Sequence, residues 1–184
     1  MLVKNFNDSV LLPEIGRFAT TSERDVRNAI AVRDFVRLNE DAFGRNSSTG
    51  HITASAFILN TSRNAVLLTH HAKLNCWLQV GGHCDGERDP RAVALREARE
   101  ETGLSSLSFL SNDVFDIDIH EIPSNAKDQG HLHFDIRYLM AADDREALQV
   151  TAESKDLRWI PLSALETYTE KPSVLILKKK LSYL

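Results

Sequence analysis

The sequence predicts an α/β fold with an N-terminal helical extension, and three observations carry that reading. Helix starts are written in the caps at Ser22 to Asp25 and at Asp89-Pro90. Short runs rich in β-branched and aromatic residues lie between and beyond them, separated by Gly, Pro and Asn turn signals. The 184 residues are 42% apolar and 26% charged, the make-up of one globular domain with a sizeable core.

In chain order, Ser22 and Asp25 resemble a capping box and open a helix running to about residue 43. Ala29, Val32, Val36 and Phe43 fall near one stripe of it, with arginines around the rest. This element docks either on its own chain or on a second copy, which leaves a homodimer open. Asn46 to Gly50 is a polar linker, and Ile52 to Leu59 is a strand. A turn at Asn60 to Asn64 leads into a second strand from Ala65 to His70, and Trp77 to Val80 delivers the chain into a glycine loop. After the helix at Pro90, sheet character returns at Leu107 to Leu110 and Val114 to Ile119. A loop containing Pro123 and Gly130 precedes a strand from His131 to Met140, and Leu157 to Ile160 is the last strand. Short helices near Leu162 to Tyr168 and Ser173 to Leu181 close the chain.

The chemistry concentrates in residues 81–104. Asp89 caps this helix, Pro90 takes its first position and Gly103 stops it. Glu97, Glu100 and Glu101 then stand at i, i+3 and i+4, on one face. Ala94, Leu95 and Ala98 are left for packing. Three crowded carboxylates repel one another, and a hard divalent cation, Mg2+ or Mn2+, would remove that repulsion. A solvated helix face braced by Arg96 and Arg99 is the alternative. Gly81, Gly82 and Gly86 let the backbone turn sharply and approach a ligand just before a helix N-terminus that favours anions.

This stretch resembles the Nudix box, G-x5-E-x7-R-E-U-x-E-E-x-G-U, where U is aliphatic. Gly82, Arg96, Glu97, Glu100, Glu101, Gly103 and Leu104 fall on the pattern, Ala98 stands in for the first U, and Arg88 replaces the first glutamate. The resemblance implies an α/β/α sandwich with a mixed sheet, residues 1–45 forming the helical extension and 46–184 the Nudix domain. It also implies attack of metal-activated water on a diphosphate in a nucleoside diphosphate derivative or similar compound. Glu97, Glu100 and Glu101 match its metal-binding carboxylates, and Gly81 matches the residue whose carbonyl completes the metal shell. Arg96 matches the arginine of the box. A further acidic residue usually comes from beyond the box as ligand or general base. Glu153, before Trp159, looks like that element, with a plain surface glutamate as the alternative; Glu100 is the other candidate base.

On the strand from His131, alternation puts His131, His133, Asp135 and Arg137 on one face and Leu132, Phe134, Ile136 and Tyr138 on the other. The apolar set must face the core. The polar set suits phosphate or ribose contacts, with Arg137 able to bond bidentately, or it faces plain solvent. A His-x-His pair also invites zinc, but no Cys or His partner stands at motif spacing. His83, inside the glycine loop, is placed to touch a phosphate or to cap the loop. Thr53 and Ser55 share a strand face with Phe57 and line or border the cleft. Trp77 is a stacking platform or core.

A net charge of −4 argues against a general nucleic-acid binder, which needs a basic face. No apolar run of roughly 18 residues occurs, and Met1 to Asp8 lack a signal-peptide core, so no membrane partner is expected. Two cysteines, Cys76 and Cys84, suit a reducing cytoplasm. The expected partner is a small, phosphorylated, nucleotide-like molecule. Two other readings stay open. One is an isomerase of the isopentenyl-diphosphate type, which shares the fold and uses cysteine, histidine and glutamate with a metal. The other is a non-catalytic nucleotide-sensing domain.

Overall fold

Alternation of side chains along two long strands sets the architecture. The computed structural model describes residues 9–124 and 129–183; Met1 to Asp8 and part of the loop between Pro123 and Gly130 lie outside them. Strands β1 (Gly50–Asn60) and β7 (His131–Ala142) run parallel side by side through the middle of the sheet, with Ile52 beside Phe134 and Phe57 beside Leu139. Antiparallel to β1 lie β2 (Ala65–His71) at its far half and β4 (Val80–His83) at its near half. Strands β3 (Trp77–Leu78) and β8 (Ser154–Pro161) both pair with β2. On the other side of β7 stand β6 (Asp116–Ile122) and the short β5 (Ser108–Phe109). Among the described residues these eight strands make one mixed sheet.

Each face of the sheet carries its own core. On one side Ile52, Ala54, Ala56 and Ile58 of β1 and Phe134, Ile136 and Tyr138 of β7 pack with three helices: α1 (Leu11–Arg17), α2 (Glu23–Leu38) and α3 (Pro90–Thr102). On the other, Phe57, Leu59 and Leu139 meet α4 (Leu165–Tyr168) and α5 (Pro172–Leu181). The result is the α/β/α sandwich expected, with the apolar face of β7 turned to the core.

The N-terminal helices dock on their own chain. Leu11, Ile15, Val32, Phe35 and Val36 are buried in the first core, and the Phe35 ring stacks on Phe134 with 4.1 Å between centroids. Glu14 on α1 accepts a 2.6 Å hydrogen bond from the Tyr138 hydroxyl across that core. The Ser22 side chain caps α2 by accepting from the Asp25 amide. This helix stops at Leu38 rather than near residue 43, because the Asn39 amide and side chain both bond the Phe35 carbonyl and turn the chain away. Phe43 still reaches the core, from the turns that follow. Helix α1 carries Pro13 and Gly16, which hides it from a periodicity argument.

Candidate functional site

The glycine loop is in fact strand β4. Gly82 pairs with Ala54 and Gly81 with Ser55, which lays this backbone edge-on between β1 and the second half of α3. A side chain at either position would collide. A Cβ on Gly82 would stand 2.5 Å from Glu97 Oε2, and one on Gly81 would meet the Ala54 carbonyl oxygen at 2.6 Å. Gly81 therefore lets β4 lie against β1, and Gly82 lets its backbone touch the acidic face of α3.

The caps of α3 are those the sequence announces. Asp89 accepts from the Ala92 amide, Pro90 opens the helix, and Gly103 ends it with φ of 73°. Val93, Ala94 and Ala98 face the core, which turns Glu97 and Glu101 toward β4. Glu101 is only 8% exposed, and one of its oxygens accepts a 2.8 Å hydrogen bond from the Gly81 amide. Burial raises its pKa to about 7; the Gly81 bond opposes this, and the neighbouring Glu97 and Glu153 charges add to it. Glu97 is also raised, by burial first, against the pull of Arg96. Arg96 lies 2.7 Å from Glu97 and 3.6 Å from Glu100, whose side chain is 62% exposed. Arg88, which departs from the box pattern, leaves the acidic face altogether and sits over the Phe43 ring.

These three glutamates share a helix face without converging on one point: Glu97 is held by Arg96, Glu101 by the Gly81 amide, and Glu100 reaches into solvent. The donor set suits a hard cation. Two half-desolvated or buried carboxylates repel each other beside a strand where an added Cβ would collide, and Arg96 offsets the charge of Glu97 directly. Glu153 lies just ahead of β8, exposed, and near enough for its charge to raise both Glu97 and Glu101.

Arg137 is not available to a substrate, which corrects the expectation for that residue. It is 1% exposed, and its guanidinium donates to Asp135 at 2.8 Å, Asp116 at 3.1 Å, Asp118 at 3.0 Å and the Ser173 carbonyl at 2.7 Å. Thr53 and Ser55 complete the cluster by donating to Asp135 at 3.1 and 2.8 Å, so they border the interior rather than an open cleft. Arg24 from α2 reaches around the β6 edge to Asp116 and Asp118, and Lys180 from α5 meets Asp25 and Asp116. Burial would raise Asp116, yet the Arg24 hydrogen bond and the Arg137 and Lys180 charges hold it below the usual carboxylate range.

Beyond this cluster, toward the start of β1 and β7, His83, His131 and His133 come together with two rings the sequence did not single out, His51 and His120. Cross-strand register does this: His51 pairs with His133, which also pairs with His120, while Thr53 pairs with His83. Burial, reinforced by the neighbouring rings, lowers His51 to about 4 and His133 to about 2, so both are neutral. Trp77 stacks on His70 and packs edge-on to Tyr168 beside the second core. Cys84 is buried in the first core and its thiol is pushed up to about 12, chiefly by burial. That is the wrong environment for the acid or base an isomerase would need.

A family model described as NUDIX domain matches residues 49–179, and the chain belongs to that family. A probable DHNTP pyrophosphohydrolase of Lactococcus lactis is 26% identical over 111 residues, 59% of this chain and 64% of that protein, so the chain spans a little under two thirds of that relative's length. A NUDIX-family hydrolase from Clostridium perfringens superposes with a TM-score of 0.52 at 25% identity, covering 72% of this chain and 97% of the other. A C. elegans Ap4A hydrolase shares the fold with a TM-score of 0.58 at 18% identity, over 72% of this chain and 95% of its own.

Proposed function

We propose, from membership of the Nudix family and the geometry around α3, that this chain is a divalent-metal-dependent pyrophosphohydrolase. Its substrate is a nucleoside diphosphate derivative or a similar X-linked diphosphate. One observation carries the reading: the Gly81-Gly82 backbone lies directly against Glu97 and Glu101, with the Gly81 amide bonded to Glu101 and the Gly82 Cα facing the Glu97 carboxylate where a Cβ would press on it. Pyrophosphohydrolase activity in the Lactococcus relative's name agrees with it.

In this reading Glu97, Glu100 and Glu101 with the Gly81 carbonyl hold Mg2+ or Mn2+. Bound there, the cation supplies charge for the diphosphate oxygens and a more acidic water. Glu153 takes the proton of the attacking water, since its charge already reaches the buried pair from an exposed position; Glu100 is the second candidate for that proton. Arg96 pairs with Glu97 and lies close to Glu100, which would hold both carboxylates near the position a cation would take. His83, directly after Gly82, is the ring placed to touch a phosphate. Residues 46–184 would carry all of this, with 1–45 as a helical extension packed on the first core. Two free thiols suit a reducing compartment such as the cytoplasm.

The test is a screen of nucleoside di- and triphosphates, dinucleoside polyphosphates and nucleotide sugars with Mg2+ and Mn2+, reading phosphate-containing products. Turnover that needs the metal and vanishes in Glu101→Gln is expected. Nucleotide binding without turnover under any divalent ion would defeat the reading, as would double-bond migration in an allylic diphosphate.

A further inference from the structure

We propose that His51, His131 and His133 form a second cation site, separate from the glutamate face, that takes a borderline-soft transition ion such as Zn2+. It is independent of the hydrolase reading and would stand if that reading failed.

Two strands bring these rings to one end of one sheet face. His51 on β1 lies beside His133 on β7, and His131 is two residues earlier on the same face of β7. Ring centroids are 4.8 Å apart for His51 and His133, 4.9 Å for His51 and His131, and 5.2 Å for His131 and His133. One nitrogen from each lies within 4.8 Å of the others, and among the described residues no other trio of His, Cys, Asp or Glu is gathered this closely. Tetrahedral Zn–N bonds of about 2.0–2.1 Å place ligand nitrogens about 3.4 Å apart.

The hydrogen bonding points the same way. His51 is 4% exposed, yet neither of its nitrogens has a hydrogen-bond partner, and the same holds for His133 Nε2. A buried polar atom left unpaired costs about 1–3 kcal/mol, so two adjacent buried rings with unpartnered nitrogens need an explanation beyond folding. His131 supplies a further sign. Its Nδ1 lies 2.8 Å from the Gln129 carbonyl, which accepts only from the Nδ1–H tautomer and leaves the Nε2 lone pair free for an ion. His120 is arranged likewise, with Nδ1 on Asp118 at 3.1 Å and its ring 5.4 Å from that of His133.

Chemistry selects the ion. Three imidazole nitrogens with no carboxylate among them favour Zn2+, Co2+, Ni2+ or Cu2+ over Mg2+, which demands oxygen. Three protein ligands leave a fourth position, which His120, His83 or an oxygen of a bound phosphate can fill. An anion site built on charged imidazoles is the competing use of these rings, but burial disfavours the charged form.

The experiment uses tag-free full-length chain stripped with EDTA. Zn2+ binding is followed by calorimetry, Co2+ by visible absorption, and the histidine rings by NMR. One Zn2+ per chain is expected, with the His51, His131 and His133 resonances moving and excess Mg2+ leaving them unmoved. His51→Phe should weaken Zn2+ by ~100-fold or more while melting in EDTA no lower than the parent, because it replaces an unpaired buried imidazole. His131→Asn, nearer the rim, repeats the affinity loss should His51→Phe fold poorly. Glu101→Gln should leave Zn2+ binding intact. The proposal is overturned by Zn2+ that binds without moving these resonances. Zn2+ affinity that survives both histidine changes or is abolished by Glu101→Gln overturns it too, and so does a set of rings that answers to pyrophosphate and not to Zn2+.

Discussion

Replacing Glu101 by glutamine should make the metal-free protein more stable and the enzyme inactive. The side chain is 8% exposed, and its pKa stands at about 7 against an ordinary 4.5, with burial the leading cause. A raised carboxyl means the folded state holds its proton more tightly than the unfolded chain. The stability this brings is complete below about pH 4.5 and is lost as the pH rises through about 7. At ~1.4 kcal/mol per pKa unit, the ionised form costs the fold about 3 kcal/mol once the pH is well above 7. Glutamine keeps the oxygen that accepts from the Gly81 amide and removes the charge. With EDTA present, Glu101→Gln should therefore exceed the parent by about 2–3 kcal/mol at about pH 8, roughly 5–10 °C in Tm for a chain of this size. At about pH 5 the gap should shrink below about 1 kcal/mol. Mg2+ should raise the parent more than the variant, since the variant lacks the most deeply buried of the three carboxylates that hold it. Turnover should fall by about a hundredfold or more. Thermal melts at the two pH values, with and without Mg2+, read the stabilities, and a Mg2+-dependent turnover assay reads the loss of rate. A variant less stable than the parent at about pH 8, or a gap indifferent to pH, would refute the claim that Glu101 is held against its own ionisation.

Arg137→Met should cost about 3–5 kcal/mol in urea unfolding, because it removes the guanidinium shared by Asp116, Asp118 and Asp135 and leaves Asp135 to the Thr53 and Ser55 hydroxyls inside the protein. Arg137→Lys should not rescue it, since one ammonium cannot make four bonds in different directions; recovery by lysine would contradict the network described. Gly82→Ala should stay within about 1 kcal/mol of the parent, because the flexible end of Glu97 can move aside, but should lower metal-dependent turnover ~10-fold. Gly81→Ala pushes against β1 backbone instead and should lose about 1–3 kcal/mol; equal melting of the two variants would show that these contacts do not differ as described. Tyr138→Phe should cost about 1–3 kcal/mol by leaving Glu14 buried without its donor. Glu14 is raised, mainly by burial, so this penalty should ease in acid as Glu14 takes up a proton; a penalty that does not ease would remove the Glu14–Tyr138 bond as its cause.

What could be read in advance was local. The caps of α3, the turn after β1 and the inward face of β7 are encoded by residues within a few positions of one another, and the structure has them as expected. Arg137 was misread for the opposite reason. Alternation says correctly that it points away from Phe134 and Tyr138, but says nothing about what covers that face. The cover comes from β6 and α5, about 20 and 36 residues away in the chain, with Arg24 reaching in from α2 beyond β6. His51 escaped notice likewise, because its partner His133 is joined to it only by the parallel register of β1 and β7. No spacing rule spans an 82-residue crossover. Helix α1 is too short, and too broken by Pro13 and Gly16, to show a period at all.

That shared face is divided sharply along the same two strands. At one end Phe57 and Leu139 lie side by side under α5, an ordinary apolar contact. Two residues earlier the pair is Ser55 and Arg137, then Thr53 and Asp135, then His51 and His133. Stability alone does not explain the change, because ion pairs buried this deeply are commonly matched or bettered by well-packed apolar residues. Nor does solubility, since Arg137, Asp116 and His51 hardly touch solvent. A rigid, pre-paired interior fits better. Arg137, Arg24 and Lys180 tie β6, β7, α2 and α5 to one another around the aspartates. Ser55, which joins that lattice through Asp135, is the residue paired with Gly81. The charged interior thus fixes the strand against which β4 is laid, and with it the distance from Gly81 to Glu101.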